Sequence, residues 1–153
     1  MTIVQDAIRA VKLSQIPAQL ALYEQLVQSS EPLFKMEGKG LEELNKEHSQ
    51  NLMFYDLMLQ ECKTIEDTIK MKIEEIEGEL YQKYQGGQRA LSSTDIRNYI
   101  KGDQRYVAAL EILLEVVHSK RQLEAVVEAL KSMGWSLSNI GKIRIAQLEH
   151  ITL

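Results

Sequence analysis

One uninterrupted stretch, residues 41–84, limits what this chain can fold into more than any other feature. It contains no proline, and its single glycine, Gly78, lies near its end. Apolar residues recur along it mostly at alternating spacings of three and four, which is the pattern of one apolar stripe on an α-helix. The stretch therefore predicts a first long helix over residues 41–84. The stripe comprises Leu41, Leu44, Leu52, Tyr55, Met58, Leu59, Cys62, Ile65, Ile69, Ile73, Ile76 and Leu80.

The face opposite this stripe is polar and mainly acidic. A helix with one apolar and one charged face packs the first against a partner and exposes the second to solvent. The residues expected to be solvated are Glu61, Glu66, Asp67, Lys70, Glu74, Glu75 and Glu77.

A glycine pair, Gly86–Gly87, predicts the end of this helix, because glycine is the usual residue after a helical C-terminus. Residues 85–103 are then expected to form a tip between two long helices. Ser93 or Thr94 is suited to cap a short helix within the tip, and Asp103 to cap the helix that follows.

A second long helix is predicted over residues 104–133, where Gly134 is expected to stop it and Ser136 to cap a closing helix over 136–150. Its apolar residues cover much of its circumference, so more than one side must be buried. A pair of long helices has too little interior to cover such a face, which predicts self-association, most often as a closed symmetric oligomer. The expected oligomer contacts are Leu113, Val116, Val117, Leu123, Val127 and Leu130.

The N-terminal region, residues 1–40, is expected to form a variable helical arm and a linker. Pro17 suits the first turn of a short helix, where its missing N–H costs little. The two glycines within residues 35–40 indicate a flexible linker. The predicted fold class is all-α: a long antiparallel helical hairpin over residues 41–153 with short flanking helices, assembled into a ring-like homo-oligomer.

Composition excludes several classes of function. The 153-residue chain is 44% hydrophobic and 26% charged, with a formal net charge of −4 at pH 7. That charge argues against binding nucleic acid through the overall field, so such binding would need a local basic patch. A single cysteine, Cys62, excludes an intrachain disulfide and fits a reducing cytoplasm. The sequence shows neither a secretory signal nor an apolar run of membrane-spanning length, which predicts no membrane association.

Signals for catalysis are weak. Glu115 and His118 form one Glu-x-x-His pair, whereas a di-metal carboxylate bundle needs two such pairs and two further glutamates. Cys62 lies within the apolar stripe and is expected to be a packing residue rather than a nucleophile. No catalytic residue, metal or cofactor is therefore expected, with a metal-dependent bundle enzyme kept as a remote alternative.

The tip and its flanks carry the densest mixture of basic and aromatic residues in the chain. Cations for phosphates and flat rings for bases are what single-stranded nucleic acid requires. A plainer interpretation remains open, in which the tyrosines pack the turn and the cations solvate it. The mixture consists of Tyr81, Lys83, Tyr84, Arg89, Arg97, Tyr99, Lys101, Arg105 and Tyr106.

The ordered series ELYQKYQGG, DIRNYIKGD and ALKSMGWSLSNI…IRIAQLEH resembles the UvsY family of phage recombination mediators. The resemblance covers roughly residues 41–150 and is a pattern of elements with sparse matching residues. The first forty residues match poorly. The matching positions are Leu80, Tyr84, Gly86, Asp103, Gly134, Trp135 and Arg144.

This resemblance implies a helical protein that assembles into a ring, most often a heptamer, and binds single-stranded DNA in the host cytoplasm. It also implies loading of a RecA-like recombinase onto DNA covered by the phage single-strand-binding protein, which is not enzymatic work. The family's basic residues before the tyrosine turn are replaced here by Glu77 and Glu79, so the DNA contacts must come from elsewhere. The candidates are Lys83, Arg89, Lys101, Arg105, Lys120 and Arg121, with Tyr81 and Tyr84.

An alternative of a different class stays open. The acidic first helix and the net charge of −4 favour a structural coiled-coil assembly or scaffold protein that binds only protein partners.

Overall fold

The computed structural model describes residues 13–87 and 89–151, and every regular element in these ranges is helical. No strand occurs within the described ranges, so the predicted all-α class is confirmed. The four α-helices are α1 (Ile16–Gln28), α2 (Leu41–Gln85), α3 (Ser93–Gly102) and α4 (Gln104–Ile151), and 3-10 turns cover Leu13–Gln15 and Glu31–Phe34.

Several predicted helix ends are confirmed. Pro17 lies in the first turn of α1, and α2 ends immediately before Gly86. Asp103 caps α4, because its Oδ1 accepts hydrogen bonds from the backbone N–H groups of Arg105 (2.9 Å) and Tyr106 (3.3 Å). These ends depend on capping side chains and on glycine, which act on neighbouring residues and can therefore be predicted from the local sequence.

The cap of α3 differs from the prediction by one residue. Ser92, rather than Ser93 or Thr94, has extended backbone angles, and its Oγ accepts a hydrogen bond from the Asp95 N–H at 3.2 Å. A cap must stand just outside the first helical residue, and Ser93 and Thr94 are already helical.

The predicted break at Gly134 is wrong. α4 continues from Gln104 to Ile151 through Gly134 and Ser136, so the second long helix over 104–133 and the closing helix over 136–150 are one element. Ser136 does not cap a helix, since its Oγ donates to the Ser132 carbonyl one turn earlier, at 3.3 Å. Helix propensity alone disfavours glycine by only about 1 kcal/mol, which the packing of the surrounding helix can offset.

The chain divides into two compact units. Among the described residues, unit 1 comprises residues 13–20, 61–87 and 89–119, and unit 2 comprises residues 21–60 and 120–151. α2 and α4 therefore contribute to both units, and this division does not coincide with the predicted boundary at residue 40.

In unit 1, α2 and α4 run antiparallel. The Cys62 thiol lies 3.7 Å from the Val116 carbonyl, and the Glu79 carboxylate lies 3.0 Å from the Arg105 guanidinium, so the order of contacts reverses between the helices. Cys62 is fully buried, which confirms it as a packing residue. From α1, Gln19 donates a hydrogen bond to the Glu61 carboxylate.

In unit 2, the same helices also pair in opposite directions. Leu44 packs against Met133 and Leu137, and His48 Nε2 lies 2.6 Å from the Leu130 carbonyl oxygen. The Tyr55 hydroxyl donates a hydrogen bond to the backbone carbonyl of Leu26, in the last turn of α1, at 2.7 Å. Burial raises the pKa of the Tyr55 phenol, so it remains a donor throughout the physiological range.

Most of the predicted oligomer contacts are internal. Val116, Leu123, Val127 and Leu130 are each at most 2% exposed within the chain itself, so they leave no surface for another copy. Leu113 and Val117 are half-buried. The broad apolar face of α4 is thus largely covered within the chain, and the prediction of an interface at those four residues is wrong.

One acidic residue expected to be solvated is not. Glu66 is only 6% exposed, and Lys70 reaches it from the next turn of α2 at 2.9 Å. A buried carboxylate needs such a partner, because desolvation otherwise favours its neutral form.

Two further expectations concern the N-terminus and the membrane. The first part of the expected N-terminal arm, residues 1–12, lies outside the described residues. No helix that the structure describes has both the length and the apolar composition to cross a membrane.

Candidate nucleic-acid interface

The candidate site occupies the end of unit 1 where α2 finishes, α3 folds back and α4 begins. It is anchored by a small apolar core in which Ile96 and Ile100 of α3 pack with Ile76 and Leu80 of α2. Because α3 buries this stripe, its remaining residues lie on the surface beside α2 and α4. We call the fully or partly exposed side chains of residues 79–87 and 89–106 the tip surface.

Two tyrosines stack at the centre of the tip surface. The rings of Tyr84 in α2 and Tyr99 in α3 have centroids 5.4 Å apart and planes inclined by 26°. Tyr99 remains 54% exposed, whereas Tyr84 is half-buried. Lys83 lies beside the pair, with Nζ 5.8 Å from the Tyr84 centroid, close enough for a cation–π interaction.

Four cations of the tip surface are available to a ligand. These exposed residues, none of which forms an ion pair within the described ranges, are Lys83, Arg89, Arg97 and Lys101. Arg97 and Lys101 lie one turn apart on α3. An exposed, unpaired cation can bind a phosphate without first losing an internal partner.

Arg105 is engaged differently. Its guanidinium donates to the Glu79 carboxylate at 3.0 Å, and both side chains are about half exposed. A phosphate would have to compete with this carboxylate for Arg105. Glu79 thus reduces what Arg105 can contribute to anion binding.

Two grooves lie in this part of unit 1, and the stacked tyrosines line the first of them. One lies between α3 and the start of α4, and its lining includes Tyr84, Asn98, Tyr99, Gln104 and Arg105. The other lies between α2 and α3, and its lining is Glu74, Glu77, Gly78, Tyr81, Arg97, Ile100, Lys101 and Tyr106. In the second groove two carboxylates on α2, Glu74 and Glu77, balance two cations on α3, so it has no net positive charge.

The other two tyrosines near the tip pack against its core. Tyr81 and Tyr106 are half-buried beside the cluster of Ile76 and Ile96. Burial raises the pKa of the Tyr106 phenol, and the neighbouring Glu77 carboxylate raises it further. For these two rings, the plainer interpretation, that tyrosines pack the turn, accounts for their position.

The remaining predicted DNA contacts lie on the tip surface or in unit 2. Arg89 is exposed in the connection between α2 and α3, within the tip surface. Lys120 and Arg121 belong to unit 2, where Lys120 is half-buried and already has an interaction partner, whereas Arg121 is exposed. The structure therefore places Lys83, Arg89, Lys101 and Arg105 on the tip surface of unit 1, whereas Lys120 and Arg121 belong to unit 2.

The charge balance of this region is nearly even. Between residues 77 and 106 the chain has five cations and four carboxylates. A single copy thus offers only a slight positive excess, which predicts weak, strongly salt-dependent attraction for a polyanion.

Sequence reasoning did not assign two central residues of the surface to DNA contact. Tyr99 and Arg97 were noted only as members of the basic and aromatic mixture. Both are exposed, whereas Ile96 and Ile100 of the same helix are buried. The positions of Arg97 and Tyr99 around the helix, relative to the apolar stripe of Ile96 and Ile100, could have indicated their exposure. A residue beside such a stripe is often at least half exposed.

Candidate metal ligands are not clustered in the described ranges. Those ranges hold no group of three or more histidine, cysteine, aspartate or glutamate side chains placed to bind a metal ion. Glu115 and His118, the one pair with metal-ligand spacing, are both exposed.

The fold and surface together define an all-helical protein with an aromatic and basic surface at one end of unit 1. Comparisons of this chain with family models, with curated proteins and with solved structures find no match.

Proposed function

We propose that this protein is a recombination mediator that binds single-stranded DNA through its tip surface. The observation that carries the proposal is the stacked pair of Tyr84 and Tyr99, with Lys83, Arg97 and Lys101 exposed around it. Aromatic faces stack on unpaired bases, and nearby cations neutralise the backbone. The resemblance to the UvsY family, which includes Tyr84 and Asp103, supports the same assignment.

A homo-oligomer, of which a heptameric ring is the form that the resemblance implies, would supply the affinity that one tip lacks. Each copy contributes only a slight excess of positive charge, but several tips on one strand act together. Linked weak sites can exceed the affinity of one site by about 10²–10⁴-fold when the geometry allows simultaneous contact. The same multiplication makes binding steeply dependent on salt.

The proposed action in the host cytoplasm is to load a RecA-like recombinase onto DNA covered by the phage single-strand-binding protein. A mediator achieves this by binding one DNA state better than the other, since only differential affinity shifts an equilibrium. No bond is made or broken by the mediator itself, so the proposal requires no cofactor and no catalytic residue.

Titration of a fluorescent single-stranded oligonucleotide at two salt concentrations tests the DNA-binding part. We expect binding at low salt and a marked loss at high salt, with weaker binding of duplex DNA because its bases are not available to the tyrosines. Absence of binding even at low salt would refute the proposal. Measuring the mass in solution with and without oligonucleotide tests the oligomer.

A scaffold protein that binds only other proteins is the second candidate. Its support is the number of large apolar side chains that remain exposed, because such residues often mark protein contacts. The most exposed are Met53, Met71, Leu114, Trp135 and Leu148, each at least 65% exposed. This candidate would be favoured if the protein self-associates or binds a recombinase but does not bind the oligonucleotide at any salt concentration.

A further inference from the structure

The exposed part of Tyr99 faces a groove whose composition differs from that of a phosphate site. One side of its ring lies on Tyr84, yet 54% of the residue is exposed. The groove beside it is lined by Asn98 and Gln104, which are neutral amides, and by Arg105. The ring pair therefore forms one wall of an open groove rather than part of a packed core.

Charge in this groove is cancelled. Asp103 also lines it, opposite in sign to Arg105, and Arg105 is further paired with Glu79 at 3.0 Å. A phosphate would meet carboxylates here. A nucleobase, in contrast, is uncharged, has a face for Tyr99 and has an edge with both donors and acceptors, which the side-chain amides of Asn98 and Gln104 complement.

We propose that this groove is a nucleobase subsite, in which an unpaired base stacks on Tyr99 and its edge meets the amides of Asn98 and Gln104. This inference rests on the proposed binding of single-stranded DNA and adds that bases and phosphates are bound by different residues. The base occupies the neutral groove, while the backbone phosphates are bound by the unpaired cations Lys83 and Lys101 outside it.

The test compares two ligands of equal length and charge: a fluorescent thymidine oligonucleotide and an abasic deoxyribose-phosphate strand. Replacing Tyr99 by alanine is expected to weaken binding of the thymidine strand about 5-fold or more, the usual effect of losing one aromatic stacking partner. Binding of the abasic strand should stay within about twofold, because its phosphates contact other residues.

Two further variants complete the test. Tyr99→Phe keeps the ring, so it should retain the preference for the thymidine strand over the abasic strand that Tyr99→Ala loses. Met71→Ala is the control, because it changes a side chain that is 65% exposed in the same unit but outside the tip surface, and it should leave both affinities unchanged. Equal weakening of both strands by Tyr99→Ala, or loss of the thymidine preference in Tyr99→Phe, would overturn the subsite.

Photocrosslinking of the unaltered protein with an oligonucleotide containing 5-iodouracil gives an answer independent of any variant. The expected adduct lies on a peptide containing residues 98–105, and adducts confined to other peptides would overturn the subsite. If the unaltered protein binds neither strand, the proposed function fails together with the subsite. If it binds both strands and Tyr99→Ala makes no distinction between them, only the subsite fails.

Discussion

The imidazole ring of His48 in α2 lies against Gly134 in α4, so closely that a Cβ on the glycine would stand 2.8 Å from the His48 Cε1 atom. The ring is held there because Nε2 lies 2.6 Å from the carbonyl oxygen of Leu130, one turn earlier in α4. Gly134 therefore has a packing role in unit 2. A glycine stands at this position because His48 packs closely against it, and not because a helix ends there.

The contact predicts that Gly134→Ala destabilises the protein, although alanine is the better helix former. Overpacking typically costs about 1–3 kcal/mol, and the gain in helix propensity returns about 1 kcal/mol, so the free energy of unfolding should fall by up to about 2 kcal/mol. Chemical denaturation followed by circular dichroism measures this change.

Gly141→Ala is the matched control, because it lies in the same helix and its added Cβ would meet Leu41 Cδ2 at 3.9 Å, an ordinary contact. This variant should be as stable as the unaltered protein or more so. The double variant His48→Ala with Gly134→Ala should lose less stability than the sum of the losses of the two single variants, because the clash is then absent. Equal stability of Gly134→Ala and Gly141→Ala would contradict the packing role.

A second prediction separates burial from surface on α4. Val116 is fully buried, whereas Leu114, two residues earlier, is 69% exposed. Val116→Asp places an unpaired carboxylate in the core and should lower the free energy of unfolding by several kcal/mol, on the order of 3–5 kcal/mol. Leu114→Asp should change it by about 0.5 kcal/mol or less.

The same pair of variants locates self-association. Thermal melting gives the stability, and sedimentation gives the mass. A fall in mass with Leu114→Asp at unchanged stability would assign this face of α4 to an oligomer contact. A fully stable Val116→Asp would show that this part of the core is placed incorrectly.

The ion pair between Glu79 and Arg105 predicts a gain of affinity. Glu79→Gln releases the guanidinium for a phosphate, so affinity for single-stranded DNA should rise about two- to fivefold at low salt, as expected from removing an exposed ion pair. Fluorescence anisotropy at two salt concentrations measures the change.

Glu75→Gln is the control for this prediction. It alters the charge of α2 by the same amount one turn away, where Glu75 pairs with Lys72 at 3.1 Å. A similar rise in both variants would mean that overall charge, and not release of Arg105, determines the affinity.

Charge reversal at the tip predicts the opposite effect. Lys83→Glu combined with Arg89→Glu should lower the affinity and flatten the dependence of log K on log salt, by about 0.7 for each phosphate that the variant no longer neutralises. Lys35→Glu with Lys46→Glu makes the same charge change at exposed positions of unit 2 and should retain the slope. An unaltered slope in the tip variant would move the DNA contacts away from Lys83 and Arg89.

Local chemistry determined much of this fold from the sequence alone. The apolar stripe of residues 41–84 predicts α2 to within a residue. Spacings of three and four bring apolar residues onto one face in an α-helix and in no other common regular structure. Gly86 and Asp103 mark helix ends through backbone freedom and side-chain capping, which need no distant partner. The same local information also indicated the mixture of tyrosines and cations at the tip.

Tertiary structure decided what those rules leave open. Gly134 looked like a helix end, but the His48 ring requires the space that a side chain would fill. Val116 and Leu130 looked like contacts for another copy, but their own chain buries them. At the tip, only the folded arrangement pairs Arg105 with Glu79 and stacks Tyr99 on Tyr84, because these contacts join residues far apart in sequence. Periodicity specifies which face of a helix is apolar, whereas the identity of the partner that covers it depends on the packing of the whole chain.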